Sequence, residues 1–255
     1  MIDIHNHILV GVDDGPSTDE AMVALIQQAH AQGITAIVAT PHHLNPRYHN
    51  DAKVVKEKLE SVKNHPEIQK LGISLYPGQE VRISGDMIQG IKQGTVIGLN
   101  NSKYILIEFP SNEVPHYTKL LFFELQQHGY IPVIAHPERN KVIVKNPDIL
   151  YELISNGALS QLTAGSILGT FGKKIKKLSL QFIKCNLAHA IASDAHSTLE
   201  RPFQLKTVIE EKKLGPYKEK IQQLMDNGSI MVNNSDIQRE RPLKPTKHKN
   251  FFGLI

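Results

Sequence analysis

Seven short apolar runs, separated by helix-like stretches, constrain this chain more than any other feature of its sequence. In order they read MIDIHNHIL, ITAIVATPHH, ISLYPGQEV, KYILIEFP, YIPVIAHP, ALSQLTAGS and LAHAIASDAH. Helical segments are expected between them at 18–32, 52–64, 86–93, 115–128, 147–156 and 173–184. Ser17 or Thr18 can cap the first of these, where Asp19 and Glu20 favour the positive end of the helix dipole. Several others stop at glycine, in AQGI, QHGY and SNGA, as helices do when the chain must turn left-handed. Repeated strand and helix without a linker predicts a closed α/β barrel. The later segment NGSIMVNN, 227–234, is expected to add a further strand.

At 255 residues and 40% hydrophobic content the chain can bury such a core. It carries one cysteine, Cys185, so an intrachain disulfide and cysteine-rich zinc sites are both excluded. The start of the chain lacks a basic, apolar leader, and no stretch approaches the roughly 18 apolar residues of a membrane span. A cytoplasmic protein is therefore expected. The net charge of +4 is concentrated in RERPLKPTKHKNFFGLI, 239–255, where five basic residues face one glutamate. The body is thus neutral and lacks the distributed positive charge of a nucleic-acid groove. The organisation expected is one domain over 1–238 and a basic, partly ordered tail over 239–255. A basic, aromatic end of this kind can adsorb to an anionic surface.

The polar residues fall at particular places on this scaffold. His5 and His7, two apart in a strand, project from one face. His42 follows AIVATP, Glu80 follows SLYPGQ, Glu108 ends YILIE, His136 ends IPVIA, and Asp194 and His196 end AIASDAH. In a parallel barrel these strand ends open on one face, where active sites are built. Asp14, on the first loop, adds a ninth group, although Asp13 or Asp14 could equally serve the turn before Gly15. Burying so many ionisable groups uncompensated would cost several kcal/mol each, and metal ions provide the compensation. His30, His43, His49, His65, His116, His128, His189 and His248 lack this placement and read as core or surface residues. Nitrogen and oxygen donors without thiolate suit manganese, iron or zinc.

The stretches DIHNHILVGVDDGP, ATPHH, PGQEVRI, ILIEFP, VIAHPERN and ASDAH resemble the PHP (polymerase and histidinol phosphatase) superfamily. Within it they are most similar to the manganese-dependent protein-tyrosine phosphatases of bacterial capsule and exopolysaccharide gene clusters. The resemblance implies a distorted (β/α)7 barrel with a trinuclear metal centre. Carried over by residue, one metal is expected at His5, His7, Glu80 and Asp194. A second shares Glu80 and adds Glu108 and His136, and a third takes Asp14, His42 and His196. The choice of Asp14 over Asp13 comes from the family pattern. Mn2+ is the metal the resemblance favours, and the substrate it implies is the phosphorylated tail of a cognate bacterial tyrosine kinase. Peripheral membrane association, through that kinase or the basic tail, and a homo-oligomer are further expectations; a nucleic-acid partner is not.

Clustered divalent ions can hold a phosphate oxygen, acidify a bound water and neutralise charge in an in-line displacement. That route needs no phosphoenzyme, and Cys185 indeed precedes no Cys-x5-Arg phosphate loop. Arginine grips oxyanions in a bidentate fork. Arg139 lies three residues after His136 and Arg201 five after His196, so both are expected at the metal face and both resemble phosphate-binding positions of the family. Arg47 and Tyr48 are candidates for the rim. Two other readings compete: a phosphoesterase acting on histidinol phosphate or a nucleic-acid end, and a non-catalytic metal-binding scaffold.

Overall fold

In the computed structural model, which describes residues 1–245, every apolar run supplies parallel strand. The chain runs β1 (Ile2–Asp3), α1 (Asp19–Ala31), β2 (Ala36–Ala39), β3 (His42–His43), α2 (Ala52–Lys63) and α3 (Pro66–Gln69). It continues through β4 (Ser74–Pro77), β5 (Glu80–Arg82), α4 (Met87–Gln93), β6 (Tyr104–Glu108), α5 (Thr118–Gln127) and β7 (Ile131–Ala135). After α6 (Lys141–Lys145) and α7 (Asp148–Ser155) come β8 (Leu159–Thr163), α8 (Ala164–Leu168), α9 (Lys173–Lys184) and β9 (Ala190–Ala192). The last helices are α10 (Leu205–Glu210) and α11 (Lys218–Val232). Thr18 caps α1 as expected, its hydroxyl accepting from Ala21 N.

Two of the runs are broken. Pro41, which has no N–H to give to a ladder, separates β2 from β3, and Gly78 lies between β4 and β5. A Cβ on Gly78 would meet Val38 Cγ1 at 2.7 Å, so only glycine lets these two staves pack. The pieces divide into a sheet β1-β2-β4 and a sheet β3-β5-β6-β7-β8-β9, all parallel. Since β2 and β3 form one stave and β4 and β5 the next, the two sheets make a single ring. It closes where Asn6 bridges Ala195 in parallel, with Asp194 N donating to His5 O at 2.7 Å and His7 N to Ala195 O at 2.8 Å. The result is the sevenfold α/β barrel expected from the runs.

Strand alternation divides the apolar residues into two cores. Val38, Leu106, Val133, Leu159, Ala190 and Ala192 fill the barrel, while Ile37, Ile107, Ile134 and Ile191 pack outward under the helices. The floor of the barrel is plugged by Met231, Val232 and Ile237.

The expected strand at 227–234 is a correction: Asn227–Val232 belongs to α11. Its buried residues Ile221, Leu224, Met225, Gly228, Met231 and Val232 recur at helical spacing. Glycine in a helix costs about 1 kcal/mol, but a Cβ on Gly228 would come within 3.2 Å of Ile4 Cγ2. The missing side chain lets α11 lie against the short β1, and that packing overrides the β-branched content. The tail begins as a strap on the same floor. Arg239 donates to Gly157 O, Asn186 to Arg241 O, and Leu243 N to Cys185 O. The rest of the expected tail, 246–255, lies outside the described residues. Among the described residues no helix is long and apolar enough to cross a membrane.

Candidate metal centre

All nine residues singled out in the sequence converge at the C-terminal mouth of the barrel. His5 Nε2 lies 3.4 Å from both Glu80 Oε2 and Asp194 Oδ1, and His7 Nε2 lies 3.4 and 3.5 Å from the same two oxygens. None of these four buried atoms has a hydrogen-bond partner. Leaving them unpaired is costly, and His5, His7 and Glu80 each bring a donor atom within 4.8 Å of the others, with Asp194 grouped through His5 and His136. A second cluster forms around Asp14 Oδ1, 3.2 Å from His196 Nε2 and 3.5 Å from His42 Nε2, with His7 beside them. Glu80 Oε1 meets His136 Nε2 at 2.7 Å. Among the described residues, groups of three or more donors within 4.8 Å of one another draw on these nine positions alone. Glu108 groups there with His42 and Glu80, and His136 with His5 and Asp194.

Several residues absent from the predicted set hold the donors in place. Asp13 Oδ2 accepts from His7 Nδ1 at 2.7 Å, and Gln161 Oε1 accepts from His5 Nδ1 at 2.8 Å. With Nδ1 protonated by these partners, each imidazole turns an Nε2 lone pair into the site. Asp13 also accepts from the His42 and Gly15 amides. A Cβ on Gly15 would lie 2.3 Å from His7 O, so the DDG turn can form only with glycine there. This separates the two aspartates: Asp13 orients a ligand and Asp14 faces the cluster. Arg82 Nη2 pairs with Glu108 Oε2 at 2.9 Å. Its position two residues after Glu80 on β5 was a readable signal, since both project from one face. Gln161 gave a weaker one, a lone amide in a buried strand. His136 (φ 33) and Asp194 (φ 56) adopt left-handed backbone that non-glycine residues avoid, and such strain concentrates at functional sites.

The electrostatics suit a cation. Burial resists ionisation of Glu80, but His5, His42 and His136 outweigh it and hold its carboxyl well below the usual range. For Asp194 the same resistance is overcome chiefly by Arg139 and His5. Burial, aided by Arg139, pushes His136 down to about 4, and burial with His7 does the same to His196. His5, His7 and His42 move the other way: burial opposes their charge, but Glu80 and Asp194 raise His5, Asp13 raises His7, and Glu80 with Asp14 raises His42 to about 9. The charged carboxylates thus draw protons onto the imidazoles nearest them, positive charge that a bound cation would replace. Glu108 is the exception among the carboxylates of the site, lifted to about 7 by burial and by Glu80.

Comparison with known proteins gives this centre its relatives. The CpsB/CapC profile, described as capsular polysaccharide synthesis, matches residues 1–234. The chain belongs to the CpsB/CapC family. It is 55% identical to CapC of Staphylococcus aureus over 255 residues, covering 100% of both chains. It is 42% identical to the tyrosine-protein phosphatase YwqE of Bacillus subtilis (strain 168) over 260 residues, again covering 100% of both. Among solved structures it matches, with a TM-score of 0.92 and 41% identity, the set of YwqE from Bacillus subtilis and CpsB from Streptococcus pneumoniae, described as metal-dependent tyrosine phosphatases. That match covers 97% of this chain and 100% of the other. A β-aspartyl dipeptidase at 13% identity and a TM-score of 0.54 shares the fold alone.

In this CpsB/CapC-family chain both predicted arginines reach the mouth. Arg139 Nη2 donates to Asp194 Oδ2 at 2.5 Å and Arg201 Nη2 to the same oxygen at 2.6 Å. Asp194 thus turns one oxygen toward the histidines and the other toward two guanidinium groups. Tyr48 stacks on His42 with ring centroids 5.8 Å apart and planes within 5°, and Arg47 lies over Tyr48. The histidines read as core or surface residues join no donor group among the described residues, and His248 lies outside them. Cys185 is half-buried at the end of α9, packed against the core.

Proposed function

We propose that the protein is a metal-dependent tyrosine-protein phosphatase acting on the phosphorylated tail of a bacterial tyrosine kinase in capsular or exopolysaccharide synthesis. The observation that carries the reading is the pairing at Asp194: orphaned, convergent metal donors on one oxygen, two arginines on the other. Its chemistry is hydrolysis of a phosphomonoester. Divalent ions, when bound, supply charge neutralisation for the phosphoryl group and a water acidic enough to ionise near neutral pH.

The chain's own residues do the rest. The partition the family resemblance implies would put one ion at His5, His7, Glu80 and Asp194, a second at Glu80, Glu108 and His136, and a third at Asp14, His42 and His196, while the structure groups Glu108 with His42 and Glu80 and His136 with His5 and Asp194. Manganese is the metal favoured, with iron and zinc suited to the same donors. Arg139 and Arg201 lie beside the donors, so each can turn its remaining N–H groups to the non-bridging phosphate oxygens and stabilise the charge that gathers there in the transition state. Asp194 orients both guanidiniums. The leaving phenolate has a pKa near ~10, so its departure asks little of a general acid. The test is turnover of a phosphotyrosine peptide by protein loaded with manganese. Chelation should abolish activity, and manganese should restore it better than magnesium. Rapid hydrolysis of histidinol phosphate with none of phosphotyrosine would move the assignment to another phosphoesterase. Metal binding without turnover of either would make the chain a scaffold.

A further inference from the structure

One aromatic side chain at the mouth has no part in the chemistry above. Phe171 is 38% exposed, one of five large apolar residues so placed among the described residues. It sits in the sequence GTFG, between α8 and α9, where Gly169 (φ 99) and Gly172 (φ 94) both take backbone that side chains other than hydrogen disfavour. Two such glycines around two residues make a tight turn with Phe171 near its tip. The ring also has a seat. A Cβ on Gly165, in α8, would lie 3.2 Å from Phe171 Cε2, so the helix surface is pared back where the ring rests. The Arg139 guanidinium carbon lies 5.2 Å from the ring centroid. Phe171 is therefore tied to the arginine that itself contacts Asp194.

We infer that Phe171 is a specificity-determining wall of the active site, against which the phenyl ring of the phosphorylated tyrosine rests. This rests on the phosphotyrosine reading above. A phosphate ester held by Arg139 brings its organic group toward the same guanidinium that Phe171 covers, its ring centroid 5.2 Å from the guanidinium carbon. Offset or edge-to-face contact then rewards an aromatic ester and gives nothing to a short alkyl one. Tyr48, stacked on His42, supplies a second aromatic surface at the same mouth. An exposed phenylalanine that merely propped Arg139 would favour all phosphate esters equally, so the two roles make different predictions.

Binding separates them without requiring turnover. Isothermal titration of manganese-loaded protein with phenylphosphonate and with methylphosphonate gives a ratio of dissociation constants. In Phe171→Ala the phenylphosphonate Kd should rise about three- to tenfold while the methylphosphonate Kd stays within twofold. Phe171→Trp should keep the wild-type ratio, and Phe171→Leu, which retains bulk without a π face, should lose most of it. Equal weakening of both ligands in Phe171→Ala would make the residue a prop for Arg139 and overturn the inference, as would no change in either. Absence of phosphotyrosine turnover by the wild type would sink the functional reading instead, so the two failures are distinct.

Discussion

At the floor of the barrel the Tyr104 hydroxyl donates to Ser235 O at 2.6 Å, the Asn227 amide to His189 O at 2.8 Å, and Ser160 N to His189 Nδ1 at 3.3 Å. At the mouth, a strand length away, His5 Nε2, His7 Nε2, Glu80 Oε2, Asp194 Oδ1 and His196 Nε2 have no hydrogen-bond partner. The same strands supply both ends. What differs is where the compensation for buried polarity comes from: the floor finds it within the chain, while the mouth is arranged to take it from a ligand. Stability should therefore reside in the floor and activity in the mouth, and each can be disturbed separately.

The largest effect is expected at the mouth. Glu80→Gln removes a charge shared between donor groups, so turnover should fall about a thousandfold or more, with fewer metal ions retained by elemental analysis. Its fold, read by circular dichroism, should persist. A variant that unfolds would show that the mouth also supports the barrel. At the floor, Met231→Ala deletes a wholly buried plug residue and should cost about 2–5 kcal/mol in denaturant unfolding. The kcat of the folded fraction should stay unchanged; a matching loss in kcat would break the separation.

The smallest effect expected is a titration at the floor. Burial, with Arg239 and Lys220 nearby, pushes His189 from its ordinary 6.5 down to about 3. The folded state thus keeps the imidazole neutral while the unfolded chain protonates it below 6.5. Its contribution is complete above pH 6.5 and is lost progressively as pH falls toward 3, by about 1 kcal/mol over the first unit. His189→Asn should flatten that limb in urea titrations of metal-free protein between pH 7 and 5.5. An unchanged slope would place the acid sensitivity elsewhere.

The convergence of the nine candidate residues was legible because strand ends are easy to locate: an apolar run that stops at histidine or a carboxylate marks both a position and a direction. The barrel followed from the same runs. What escaped were features decided by packing between distant segments. Asp13 and Asp14 are identical in local sequence, and only the approach of His7 and His42 separates them. The α11 segment offered β-branched residues and a glycine, and its helical state depends on the contact of Gly228 with Ile4 across the chain. Gln161 supports His5 through a contact no spacing rule encodes, whereas Arg82, which pairs with Glu108, could be read from the strand face it shares with Glu80.

The strap at 239–243 has a practical corollary. It is fastened to Gly157 and Cys185, which precede β8 and β9 and so mark the side of the barrel away from the ligands. A surface, bead or fusion partner attached at the strap would hold the molecule from below. Immobilised in that way, the enzyme should present its opening to the solution and accept substrates much larger than itself.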